Sequence, residues 1–184
     1  MSIEFIKYHQ FIYDEDYVAV VFQKPISKLR IGGEDYGSPT KGSELKIPRW
    51  AAKALEEEGY VKIKDEEQLK SVDVIKLLWK EERSETLCKI PEKFYPKLRE
   101  LLKTLNENVK RNPTDTAISE QRQTHMKALD LINCRLQKII RLSFERSPPK
   151  SSIDMLEPEE LALFKILRSE IENWKQRIII EGVE

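Results

Sequence analysis

The chain reads as an α+β protein: a small N-terminal β-rich domain over residues 1–64, then a larger all-α helical bundle domain over residues 65–184. Three observations carry that reading. Before about residue 64, short β-branched and aromatic runs are separated by Gly and Pro. After it, apolar residues recur at helical spacing almost to the last residue. Between the halves lies Ile31 to Ile63, in which a Gly-rich turn, a polar connection, a Pro-opened helix and a final strand follow one another.

The elements follow in order. Residues 1 to 16 alternate loosely and fit either an edge strand or a short helical arm. Tyr17 to Phe22 reads as a buried strand that Pro25 closes. Leu29-Arg30-Ile31 is a second short strand, and Gly32-Gly33 must turn the chain because glycine enters positive φ at little cost. Gly37 lies in the loop chemistry that follows, and Glu44 to Ile47 alternates like a strand with one wet face. Pro48 sits where a helix tolerates proline, and Trp50, Ala51, Ala54 and Leu55 fall on one face of the helix it opens. Gly59 ends that helix, and Tyr60 to Ile63 returns as a strand. Glu56-Glu57-Glu58, at the wrong end of the helix for its dipole, reads first as a solvated face and second as contact with a basic partner.

The helical half begins with Asp65 as an expected N-cap, supported by Glu66 and Glu67. Leu69, Val72, Ile75 and Trp79 give the stripe of this helix. Pro91 is expected to open the next one, with Phe94, Leu98, Leu101, Leu102, Leu105 and Val109 inward. Thr114 or Asp115 caps a long helix to about Arg146. It carries two apolar stripes: Met126, Leu129, Ile132, Leu136 and Ile139, and then Leu131, Cys134 and Leu142. A helix apolar on two sides is covered on two sides, by its own neighbours or by another subunit. The last helix, about Pro158 to Ile178, presents Leu161, Phe164, Leu167, Ile171, Trp174 and Ile178. It ends in Ile178-Ile179-Ile180, an apolar run that calls for a cover.

Composition narrows the function classes. Of 184 residues, 40% are hydrophobic and 35% charged, so the chain can bury a core and does not read as disordered. Lys+Arg and Asp+Glu both number 32, and this neutrality argues against a dedicated nucleic-acid binder. The charge is nevertheless uneven. Arg135, Lys138, Arg141, Arg146 and Lys150 make the end of the long helix basic, while Asp154, Glu157, Glu159, Glu160, Glu170 and Glu172 make the last helix acidic. Complementary helix faces explain this, and so does a basic patch offered to DNA, which is the alternative function. Two distant cysteines, Cys88 and Cys134, fit a reducing compartment, and no apolar run reaches the roughly 18 residues of a membrane helix. A soluble, intracellular protein is expected.

Chemical motifs are lacking. Gly32-Gly33-Glu34-Asp35-Tyr36-Gly37 has neither phosphate-loop spacing, and no helix follows it directly. His9 and His125 lie in no metal-binding pattern, and no nucleophile signature occurs. A non-enzyme without cofactor or metal is the expectation.

The residues Ile31-Gly32-Gly33-Glu34-Asp35-Tyr36-Gly37 and Ile47-Pro48-Arg49-Trp50-Ala51-Ala52-Lys53-Ala54-Leu55, in this order and spacing, resemble a subunit of the GINS replication complex of the partner-of-Sld-five class, with the small domain first. Glu81-Glu82-Arg83, Pro91, Phe94-Tyr95 and Leu101-Leu102 look like that family's first two bundle helices. Asp130, Arg135, Leu136 and Lys138 are similar to its long third helix. The Trp-Met pair of eukaryotic members is absent after Ile63, so the resemblance is to an archaeal relative. The resemblance implies a scaffold that assembles with a paralogous GINS subunit, two plus two, and joins the MCM helicase to a RecJ-like protein, with primase or polymerase nearby. On that view Met126, Leu129, Ile132, Leu136, Ile139, Leu142, Ile178, Ile179 and Ile180 are interface candidates, and direct DNA contact is weak or indirect. Gly32, Gly33, Gly37, Pro48 and Trp50 then close the small domain.

Overall fold

The computed structural model describes the backbone of residues 2–64 and 68–181, and the side chains of residues 4–64 and 68–179. The expected cap at Asp65 and its neighbours Glu66 and Glu67, and the side chain of Ile180, lie outside these described residues. The chain forms two compact units, Lys7–Gln68 on one hand and Met1–Ile6 with Leu69–Glu184 on the other.

The first unit is built on a three-stranded antiparallel sheet. Strand β1 (Tyr17–Phe22) is central, flanked by β4 (Glu44–Pro48) and β5 (Val61–Ile63). Period-two alternation sends Val18, Val20 and Phe22 inward, in register with Ile47, Ile63 and Val61. Pro48 ends β4 on the sheet edge, where its missing N–H costs no ladder bond. A two-stranded ribbon, β2 (Arg30–Ile31) and β3 (Glu34–Asp35), turns at Gly32 and Gly33 with φ of 59° and 91°. Both turn residues at positive φ is the pattern of a tight hairpin that glycine favours. The turn stands where it is expected, and β3 is an addition to the expected strands, because Glu34 and Asp35 lack strand propensity and pair with Ile31 and Arg30 across the turn.

Helix α2 (Arg49–Glu57) follows Pro48, whose φ of −54° suits a helix entrance. It ends in a Schellman closure: Gly59, at φ 70°, donates to the Glu56 carbonyl and Tyr60 to that of Leu55. Its inward face differs from the expected one. Arg49, Ala51 and Ala52 are buried, while Trp50 is 44% exposed and Ala54 exposed. Trp50 therefore does not close the small domain. The Arg49 guanidinium lies 4.1 Å over the Tyr13 ring instead, and this aromatic contact draws the residue before Trp50 inward. Residues near the start are a helix, α1 (Ser2–Glu15), whose Asp14 carboxylate meets Lys53 at 2.8 Å. Among the three glutamates, Glu56 accepts the Ile63 amide at 2.8 Å, while Glu57 and Glu58 are exposed.

The second unit is helical. Helix α5 (Asp115–Phe144) is its axis, and α3 (Ser71–Glu82), α4 (Phe94–Arg111) and α7 (Pro158–Glu181) all pack on it. A short helix, α6 (Lys150–Ile153), interrupts the Pro-rich linker. Thr114 caps α5, its Oγ1 accepting the Ala117 amide at 3.2 Å. Two cores result. Leu69, Val74, Leu78, Ile90, Phe94, Leu98, Ala128 and Leu131 form one, and Leu87, Ile139, Leu142 and Phe164 the other. The α4 stripe lies inward as read, with Phe94, Leu98 and Leu105 buried. Its start differs, because the proline of the first turn is Pro96, at the third helical position where an amide has no intrahelical partner. Pro91 belongs to the preceding loop. The α3 stripe also differs: Val74, Leu78 and Glu81 face inward, and Val72, Ile75 and Trp79 are 49%, 46% and 58% exposed. Of the expected stripe only Leu69, just before the helix, is buried; the other three lie on the wet side, because the inward stripe of α3 contains a carboxylate.

Candidate assembly surface and the buried charge cluster

The polar centre of the helical unit is Arg135, fully buried on α5. Its Nε and Nη2 donate to the two Glu160 oxygens at 2.6 and 2.7 Å, and Nη1 donates to Glu81 at 2.9 Å. The remaining N–H groups reach the carbonyls of Cys88 and Met155, at 2.8 and 3.2 Å. Lys138 completes Glu81 at 2.7 Å and bonds the Glu81 and Thr86 carbonyls. Tyr95 donates to Glu160 at 2.6 Å, and the Glu157 amide donates to its other oxygen. Two cations thus face two carboxylates, and one cluster ties together α3, the loop after it, α4, α5 and α7.

Burial alone would lower the Arg135 pKa, but the hydrogen bonds and field of Glu160 and Glu81 outweigh it and hold the guanidinium charged. Burial and then Glu160 push the Tyr95 phenol well above its usual value. Burial also raises Glu157, against the Lys93 and Phe94 amides that favour its charged form.

Glu81, Arg135 and Glu160 each continue an apolar stripe of their helix: Val74–Leu78–Glu81, Leu131–Arg135–Ile139 and Glu160–Phe164. A charged residue in register with core residues on three helices was the legible signal, and the sequence reading instead grouped Arg135 and Lys138 by charge. The basic patch offered to DNA is corrected accordingly. Arg135 is inaccessible and the Lys138 side chain only 12% exposed, both neutralised by carboxylates, which leaves Arg141, Arg146 and Lys150 on the surface.

The interface candidates divide. Ile139 and Leu142 are buried in the chain's own second core, beside Leu87 and Phe164, and present no outward surface. Phe164, Leu161 and Leu167 of α7 pack against them. Ile132 and Leu136 are half-buried, and Met126 and Leu129 are 54% and 47% exposed. Ile140 and Phe144, not singled out from the sequence, extend this outward stripe toward the helix end. On α7, Phe164 is buried but Trp174, Ile178 and Ile179 are exposed. Cys134 is half-buried and His125 exposed. Among the described residues no His, Cys, Asp and Glu group could hold a metal ion, and no helix is long and apolar enough to cross a membrane.

An α+β chain with a small sheet region near its N-terminus and a larger helical bundle is thus the class. Residues 64–179 match the family model described as Sld5, GINS complex protein helical bundle domain. The match covers more than half of the chain, which belongs to the GINS complex protein family of DNA replication. A search among curated proteins returns no match.

Proposed function

We propose that the chain is a non-catalytic scaffold subunit of a GINS-like complex in chromosomal replication, of the archaeal, small-domain-first class. The small β-rich region preceding the matched bundle supports that class, as do the paired glycine turn and Ile47-Pro48-Arg49-Trp50. On this reading the chain assembles two plus two with a paralogous subunit, in the cytoplasm at the nucleoid. It connects the MCM helicase with a RecJ-like protein and with primase or polymerase.

The observation that carries the proposal is the outward apolar stripe of α5. Met126, Leu129, Ile140 and Phe144 remain exposed after α3, α4 and α7 have packed, and Trp174, Ile178 and Ile179 add a further apolar face on α7. Co-expression with a paralogous subunit tests it. Leu129→Glu should abolish co-purification while leaving the circular dichroism and melting of the isolated chain unchanged. Co-purification at wild-type yield would overturn the assignment of this stripe.

A further inference from the structure

The outward face of α3 belongs to neither assembly surface, and its chemistry is specific. Val72, Ile75 and Trp79 lie at i, i+3 and i+7, each near half exposed, along one side of a helix whose Val74, Leu78 and Glu81 face is sealed in the core. Beside them runs a row of cations at i, i+4 and i+7: Lys76, Lys80 and Arg83, all exposed. Among the described residues neither Lys76 nor Lys80 makes an ion pair. The Arg83 guanidinium lies 3.6 Å over the Trp79 ring, which sets a cation and an aromatic surface side by side. Among the described residues the nearby acids stand at the edges of this face: Asp73 is engaged with the Lys70 amide at 3.1 Å, Glu81 is buried, Glu120 accepts the Ser71 hydroxyl at 3.0 Å at the start of the helix, and Glu82 and Glu85 are exposed near its end. In a chain whose charge sums to zero, a helix face of three apolar residues edged by three cations is a concentrated feature.

We infer that the Val72–Ile75–Trp79 face of α3, with Lys76, Lys80 and Arg83, is a docking site for an acidic amphipathic protein segment. Such a segment lays apolar anchors one turn apart on the stripe, and its carboxylates meet the cation row. Charge complementarity selects the acidic occupant. The apolar stripe selects protein over a nucleic-acid backbone, whose phosphates would pair with the cations and leave Val72 and Ile75 uncovered.

The test uses the full chain and a fluorescein-labelled synthetic peptide of about 14 residues, four helical turns. The peptide carries leucines at i, i+3 and i+7 and glutamates on the flanks. The expected result is saturable binding that weakens with salt. It should weaken at least about tenfold in Lys76→Glu/Lys80→Glu and in Trp79→Ala. The control double variant Lys28→Glu/Lys41→Glu, with the same charge change on exposed residues of the other unit, should bind like wild type. Far-ultraviolet dichroism of every variant verifies the fold. Three outcomes overturn the inference: no binding, equal loss in the two double variants, or displacement of the peptide by duplex DNA in a manner that depends on Lys76 and Lys80 but not on Trp79.

Discussion

Arg135 shows how one side chain can organise a helical unit. All its donors are used, and both Glu160 oxygens accept more than one hydrogen bond. A complete buried pair adds little net stability, because desolvation offsets attraction, but removing one partner strands the other charge. Arg135→Ala should therefore destabilise the chain by about 3–5 kcal/mol in denaturant unfolding, well beyond an exposed substitution such as Arg141→Ala. Tyr95 offers a second reading of the same cluster. Its phenol donates to Glu160, so Tyr95→Phe should cost about 1.5–3 kcal/mol at neutral pH. Its pKa is raised in the fold, so this contribution is fully present below the ordinary tyrosine pKa of about 10 and is lost as pH rises above it. Wild-type and Tyr95→Phe stabilities, measured from neutral pH upward, should converge in alkali, and a constant gap would count against the assignment. None of this was legible while Arg135 and Lys138 were counted as surface charge. Burial turned on which face of α5 met its neighbours, and composition carries no such direction.

Among the elements, strands and turns were the most readable, because alternation and glycine report backbone geometry directly. Tyr17 to Phe22, Glu44 to Ile47 and the Gly59 stop stand where they were expected. At Gly59 an added Cβ would meet only Lys24 Nζ, at 3.5 Å, so the cost of Gly59→Ala is backbone strain at φ 70°. About 1–2 kcal/mol of destabilisation is expected from thermal unfolding. Helix faces were less readable. In α2 and α3 the inward stripe includes Arg49 and Glu81, so an apolar search turned Trp50, Val72, Ile75 and Trp79 the wrong way. In α5 the first expected stripe divides: Ile139 joins Leu142 in the chain's own core while Met126 and Leu129 stay outward. Leu136 is half-buried, so Leu136→Asp would disturb packing as well as assembly. Leu129→Glu is the cleaner probe, expected to weaken association by about 2 kcal/mol or more with no change in the melting of the isolated chain.

At the scale of the molecule, α+β architecture and GINS family membership were both within reach of the sequence. The order of turn, strand, Pro-opened helix and long helices is a linear property of the chain. Which surfaces remain uncovered is a property of packing, and it emerged only with α3, α4 and α7 in place around α5. The central claim is that those uncovered faces are there to assemble with a paralogous subunit. Size-exclusion chromatography with light scattering, on the chain alone and mixed with that subunit, tests it most directly. A stable mixed species with the mass of two copies of each subunit is the predicted result. A chain that stays at its monomer mass of 21.7 kDa in both samples would contradict it.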